Sequence, residues 1–228
     1  MNPNLTTRPV LIVDQTQAQR VLRNTYWLLA ISMIPTVLGA WAGLALGLDK
    51  TASPIMTALL FFGGAMGFMF AIEKTKNSAA GVPVLLGFTF FMGLMLSRLI
   101  GFALGLANGA ELITLAFAGT GTVFFGMAVL STVIKRELGG LGKFLFVGLL
   151  LVIVASVANL FLHSSALLLT VTTISVGIFS AFILYDLKSV RDGYVTNYIE
   201  ATLHVYLSLL NLFQNLLTLL MLLSGRER

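Results

Sequence analysis

Long apolar runs separated by short clusters of charge dominate this chain. Seven such runs can be traced, at residues 25–48, 54–72, 84–106, 111–134, 144–162, 166–185 and 201–223. Each is close to the roughly 20 residues that an α-helix needs to cross the hydrocarbon layer. None alternates apolar with polar positions as the strands of a membrane barrel do. The pattern therefore predicts an all-α integral membrane protein with seven transmembrane helices.

The predicted spans leave room for little besides the membrane domain. We expect a polar cytoplasmic tail at residues 1–24, the seven-helix domain at 25–223 and a short C-terminal tail at 224–228. The first apolar run is longer than the core of a secretory signal, so the N-terminal segment is expected to be retained.

Composition supports the membrane assignment and narrows the chemistry. The chain is 57% hydrophobic and 10% charged, whereas soluble domains carry roughly 25% charged residues. Because it contains no cysteine, disulfides, thiolate nucleophiles and sulfur-ligated metals are excluded. Phosphate-binding loops, nucleophile elbows and paired histidines are also missing from the sequence. We therefore expect no enzymatic activity, no metal and no cofactor.

The distribution of cations predicts an orientation. Ten of the fourteen Lys and Arg residues fall on the side that holds the N-terminus, and four fall on the other. Cytoplasmic loops carry the excess of cations, so the N-terminus is predicted to be cytoplasmic. An odd number of spans places the C-terminus outside, although the arginines of the C-terminal tail leave a re-entrant last segment open. The cations form no contiguous patch, and no nucleic-acid partner is expected.

Glycines at four-residue spacing predict where helices pack closely in the membrane. They lie in the first three spans, as Gly39, Gly43 and Gly47, as Gly63 and Gly67, and as Gly101 and Gly105. Pro35 is expected to kink the first span.

The seventh span carries a polar stripe. Its members recur at steps of three or four residues and share one helical face: His204, Ser208, Asn211, Asn215 and Thr218. Such a stripe is not expected to face acyl chains. Two interpretations stay open, since the stripe could form hydrogen bonds between helices or line a path for ions or protons.

Among the carboxylates of the chain, we expect Asp186 to be the most buried, because it follows the apolar core of the sixth span by one residue. Loss of hydration at that depth disfavours the charged form of a carboxylate, which makes Asp186 a candidate pH sensor. The alternative is an ordinary interface carboxylate paired with Lys188 or Arg191. Lys74 and Lys76 are candidate latch residues on the same side of the membrane.

Two further charged residues have simpler interpretations. Glu111 follows Asn108 by three residues, which is typical of a helix-capping box. Arg98, inside the third span, is expected to extend its guanidinium toward the membrane surface.

Several segments resemble the Bax-inhibitor family, and its bacterial branch in particular. The resemblance rests on the segments at 21–26 (VLRNTY), 196–202 (TNYIEAT) and 206–213 (YLSLLNLF), together with Asp186. It implies a seven-helix fold in which the last helix is central, surrounded by the other six. It also implies pH-dependent calcium leak and stress protection, and for bacterial members a link to the membrane-anchored AAA protease.

One position departs from the calcium-leak members, which have a second aspartate where this chain has Ser208. Two carboxylates can share a proton and titrate together, and a serine cannot take that part. We therefore expect a non-enzymatic protein of the bacterial inner membrane that modulates the AAA protease in membrane-protein quality control. The alternative is a pH-gated leak for calcium or other cations, with Asp186 as sensor. The expected partners are the lipid bilayer and the protease or calcium ions.

Overall fold

The computed structural model describes residues 15–48, 54–135 and 138–225, and this part of the chain folds as seven long α-helices. They are α1 (Gln15–Ala45), α2 (Pro54–Thr75), α3 (Gly81–Leu104), α4 (Gly109–Val133), α5 (Gly139–Leu162), α6 (Ser165–Arg191) and α7 (Tyr198–Ser224). All seven are long and apolar enough to cross a membrane. The predicted fold class and the seven predicted spans are confirmed.

The first helix begins at Gln15, ten residues before the predicted span. Its first turns are held because Ala18 and Val21 are buried, and Val21 clusters with Val190 of α6 and Ala201 of α7. The last ten residues of the predicted polar tail, 15–24, are therefore helical. The rest of that tail, and the last three residues of the chain, lie outside the described residues.

Helices α1 and α3 pack with their backbones in close contact. A Cβ atom on Gly39 would overlap the carbonyl oxygen of Phe90, and one on Gly93 would overlap that of Thr36. A Cβ atom on Gly43 would likewise overlap the side chain of Ser97. Without a hydrophobic force between helices in lipid, such close approach is a main source of association. The predicted packing seam at Gly39 and Gly43 is therefore present.

The other predicted glycine seams differ from expectation. A Cβ atom on Gly63 or Gly67 would meet nothing within 4 Å, so this face of α2 is not a seam between the described helices. Gly105 is the C-cap of α3, and its nearest neighbours belong to its own helix. Gly47 lies in the turn after α1 with φ +67°, a conformation that favours glycine. Spacing alone did not distinguish these roles.

The last helix packs against α1, α3, α4 and α6. Its first turn meets the start of α3, where Ile199 lies beside Gly81, and its last residue, Ser224, accepts a hydrogen bond from Asn108 after α3. A 27-residue helix is about 40 Å long. Thus α7 is long enough to cross the whole layer without re-entering, while its enclosure by all six other helices remains a prediction.

The capping box predicted at Asn108 and Glu111 is wrong. Asn108 is the N-cap of α4, but its side chain makes no capping bond. Its amide donates instead to Ser224 Oγ at 2.8 Å. A contact between distant segments has replaced the local cap.

The glycine seam between α1 and α3 leads to a matched pair of substitutions. Gly93→Ala should lower the free energy of unfolding by about 1–3 kcal/mol, the usual cost of overpacking, because its Cβ would overlap Thr36. Gly63→Ala on α2 should change it by less than about 1 kcal/mol, in the stabilising direction that helix propensity favours. Unfolding in detergent micelles measures both, and equal losses would contradict the seam.

Candidate functional site

Asp186 and Ser208 meet at the packing face of α6 and α7. The carboxylate of Asp186 is buried, and Ser208 Oγ donates to its Oδ2 at 3.2 Å. Ser208 is buried as well. The structure thus brings together the two residues on which the sequence-based site hypothesis rests.

The two cations nearest in sequence to Asp186 are engaged elsewhere. Lys188 Nζ contacts Asp192 Oδ2, and Arg191 Nη2 lies 3.1 Å from Asp192 Oδ1. Arg191 also donates to the carbonyl oxygens of Ser131 and Ile134 at the end of α4. The expected alternative, in which Lys188 or Arg191 neutralises Asp186, is not formed.

Within the described part of the chain, Asp186 therefore has a neutral hydroxyl as its hydrogen-bond donor and no ion pair. Burying a charged carboxylate without a cation is costly. A buried carboxyl group without a facing cation is the kind of site at which proton sensors are found.

The candidate latch residues take other partners. Lys74 Nζ lies 4.8 Å from the centre of the Phe70 ring. Lys76 Nζ binds Glu73 Oε1 at 2.8 Å and Glu200 Oε2 at 3.0 Å. Neither lysine contacts Asp186, so the contact that forms here joins the end of α2 to the first turn of α7.

Asn197 strengthens this junction, which we call the α2–α7 clasp (Glu73, Lys76, Asn197 and Glu200). Its side-chain oxygen caps α7 by accepting from the backbone of Ile199 and Glu200. Its amide donates to the Lys76 carbonyl and to Asn77 Oδ1, both at 2.9 Å. The clasp was not predicted from the sequence, although Asn197 followed three residues later by Glu200 is a pattern typical of a helix start.

Most of the polar stripe on α7 bonds to its own helix. Asn211, Asn215 and Thr218 donate to the carbonyl oxygens of Leu207, Asn211 and Gln214 respectively, and all three side chains are half-buried. His204 is exposed and lies one helical turn after Glu200. Of the five stripe residues, Ser208 makes the one hydrogen bond to another described helix. The interhelical-bonding interpretation therefore holds for Ser208.

On the opposite face of α7, Tyr206 makes an interhelical contact that the sequence analysis did not single out. Its hydroxyl lies 2.9 Å from Thr36 Oγ1 of α1 and 3.3 Å from the Thr89 carbonyl of α3. The ring is 1% exposed. This bond ties the seam of α1 and α3 to the helix that carries Ser208.

Arg98 donates from Nη1 to Thr57 Oγ1 at 3.1 Å, beside a small cavity of about 30 Å³ between α2 and α3. Elsewhere, no three His, Asp or Glu side chains of the described residues come together as metal ligands.

The α2–α7 clasp should lose its charge pairing at high pH. Two hydrogen bonds raise the pKa of Lys76 above its ordinary value of 10.5, and the bond to Glu73 has a larger effect than the bond to Glu200. A raised pKa adds stability that is complete below the ordinary value and is lost as pH rises through the folded value. Lys76→Met should therefore lower the unfolding temperature in micelles at neutral pH, and the deficit should shrink above about pH 11. Lys74→Met is the control, and a deficit for Lys76→Met that is independent of pH would contradict this account.

Known proteins resemble this chain over nearly its whole length. A membrane protein of Vibrio cholerae is 35% identical over 228 residues, covering 100% of both chains. A protein of Neisseria meningitidis serogroup A is 37% identical over 91% of this chain and 92% of its own. An Escherichia coli K12 protein named "Modulator of FtsH protease YccA" is 34% identical over 88% of this chain and 89% of its own.

A family model agrees with these relatives. It is described as "Inhibitor of apoptosis-promoting Bax1" and matches residues 18–226, a stretch that takes in all of α2 to α7 and nearly all of α1. This multi-pass membrane protein with Asp186 and Ser208 at its α6–α7 contact belongs to the Bax1-I family.

Proposed function

We propose that this protein is a non-enzymatic modulator of a membrane-anchored AAA protease, in the bacterial inner membrane. The observation that carries the proposal is the 34% identity, over 88% of the chain, to the relative named as a modulator of FtsH protease. A further Escherichia coli relative is named "Inner membrane protein YccA", which supports the proposed location in the bacterial inner membrane.

The contacts of the described helices support the proposed orientation. The start of α1, the end of α2 and the junction of α6 with α7 meet at one end of the bundle, through the cluster of Val21, Val190 and Ala201 and through the α2–α7 clasp. Most of the chain's cations belong to segments at that end, which is expected to be cytoplasmic. A protease with a cytoplasmic catalytic domain would therefore meet the N-terminal end of this chain.

Residues 1–14 are the proposed point of engagement, because they precede α1 at the end of the bundle that is expected to be cytoplasmic. The proposed engagement segment is shorter than the 24-residue tail predicted from the sequence, because residues 15–24 belong to α1. The membrane domain itself offers long, well-bonded helices, which are poor starting points for a protease.

Co-purification tests this proposal. The full chain, tagged at its C-terminus, should bring down the protease from crosslinked bacterial membranes, and overexpression should slow the turnover of the protease's membrane substrates. Replacing residues 2–13 with a Gly/Ser segment of equal length should remove most of both effects, while Gln19→Glu on the exposed face of α1 should keep them. Absence of the protease from the intact chain's complexes would reject the proposal.

A pH-gated cation leak is the second candidate function. It is favoured by the buried Asp186, whose described partner is a hydroxyl, and by the half-buried amides of Asn211 and Asn215 on the same stripe. The residues proposed for the path are Asp186, His204, Ser208, Asn211 and Asn215. It is weakened because hard cations prefer sites rich in carboxylates, and Ser208 supplies none.

Flux into liposomes tests the leak. If Asp186 is the sensor, calcium flux should change between about pH 6 and pH 8, and Asp186→Asn should abolish that change. Ser208→Asp places a second carboxylate beside the first and should increase the pH dependence, because the two groups would titrate together. No flux from the intact chain would remove the leak, and an unchanged pH response in Asp186→Asn would remove the sensor alone.

A further inference from the structure

The first turns of α1, residues 15–24, are docked onto the ends of two other helices. Val21 is 8% exposed and packs with Val190 of α6 and Ala201 of α7, each 1% exposed. Partly buried side chains surround this cluster, namely Leu22, Val195 and Tyr198. We call these six residues the α1 dock. The dock is apolar, although the turns that enter it carry Gln17, Gln19, Arg20 and Arg23 on their exposed side.

The next turn continues the contact. Thr25 is fully buried, and Thr202 Oγ1 of α7 lies 3.5 Å from its carbonyl oxygen. Farther along, the glycine seam and the bond between Thr36 and Tyr206 hold α1 against α3 and α7. On its other side α1 exposes large apolar side chains, including Trp27 and Trp41 at 67% and 68%. The helix is therefore held by contacts along its length, and those at its N-terminal end are the buried Ala18 and the α1 dock.

A force applied from the N-terminal end of α1 meets the buried Ala18 and the α1 dock before it reaches the glycine seam. Proteolysis of a folded protein follows the population of its opened state when opening and closing are fast. Opening here requires Val21 to leave an apolar contact, and burial of a valine side chain favours the closed state more than tenfold. The glycine seam then has to separate before more of α1 can be drawn out.

We infer that the α1 dock is a mechanical stop, which lets the protease engage the N-terminal end of this chain while resisting extraction of α1. This inference rests on the proposed function. The docked chain occupies the protease for longer than an easily unfolded substrate does. Modulation then arises from slow processing of a bound chain, and the strength of the α1 dock sets the rate.

Degradation by a defined protease tests the stop. The full chain and its variants are reconstituted in liposomes with purified FtsH from Escherichia coli and ATP. Binding of the chain to the protease and loss of the full-length chain are measured separately. Val21→Glu places a charge in the α1 dock and should speed degradation roughly tenfold. Gln19→Glu adds the same charge at an exposed position two residues away and should leave the rate unchanged.

Milder variants guard against misfolding. Val21→Ala keeps the helix and should speed degradation by roughly threefold to tenfold, with Gln19→Ala as its control, while the unfolding temperature of the membrane domain stays near that of the parent. If the chain is captured but all four variants are degraded at the parental rate, the stop is overturned and the proposed function stands. If the parent chain is not captured at all, the proposed function itself fails.

Discussion

Close backbone contact between α1 and α3 forms the seam against which α7 is held. Within the hydrocarbon layer, helices are drawn together by tight packing and interhelical hydrogen bonds, since lipid is as apolar as their side chains. Gly39 and Gly93 permit that contact because any side chain there would overlap the neighbouring backbone. Thr36, which faces Gly93, also meets Tyr206, so the same seam positions α7. The Asp186–Ser208 contact lies on the α6-facing side of that helix.

The charged groups at the end of the bundle that holds the start of α1 have separate structural roles. Lys188 and Arg191 pair with Asp192, and Arg191 binds the end of α4. Lys76 joins α2 to α7. Because these cations are engaged in holding helices, Asp186 is left with Ser208 as its partner among the described residues. The cations thus hold helices together, while the buried carboxylate of Asp186 takes no part in those ion pairs. A protease modulator and a proton sensor would therefore use different parts of the same bundle.

Hydrophobic run lengths predicted the number and approximate limits of the helices, because the thickness of the bilayer imposes them directly. Which helices touch is a different question, and spacing could not answer it. Gly39 and Gly63 have the same sequence pattern, yet one faces a neighbouring backbone and the other faces open space. The start of α1 was not predicted because Val21, which lies among polar residues, is buried by partners about 170 or more residues away, Val190 and Ala201. Asp186 and Ser208 were predicted correctly as neighbours of the packed interior, because the apolar run before Asp186 indicates burial and the spacing of the polar stripe places Ser208 on one helical face.

Site-specific photocrosslinking in intact bacterial membranes can establish whether the N-terminal end of α1 meets a membrane-anchored AAA protease. A photoreactive residue replaces Gln17, which is exposed at the start of α1, or Leu162, which is exposed at the end of α5 on the opposite side of the membrane. We expect a crosslink to the protease from position 17 and none from position 162. A crosslink from neither position, or from position 162 alone, would contradict this expectation.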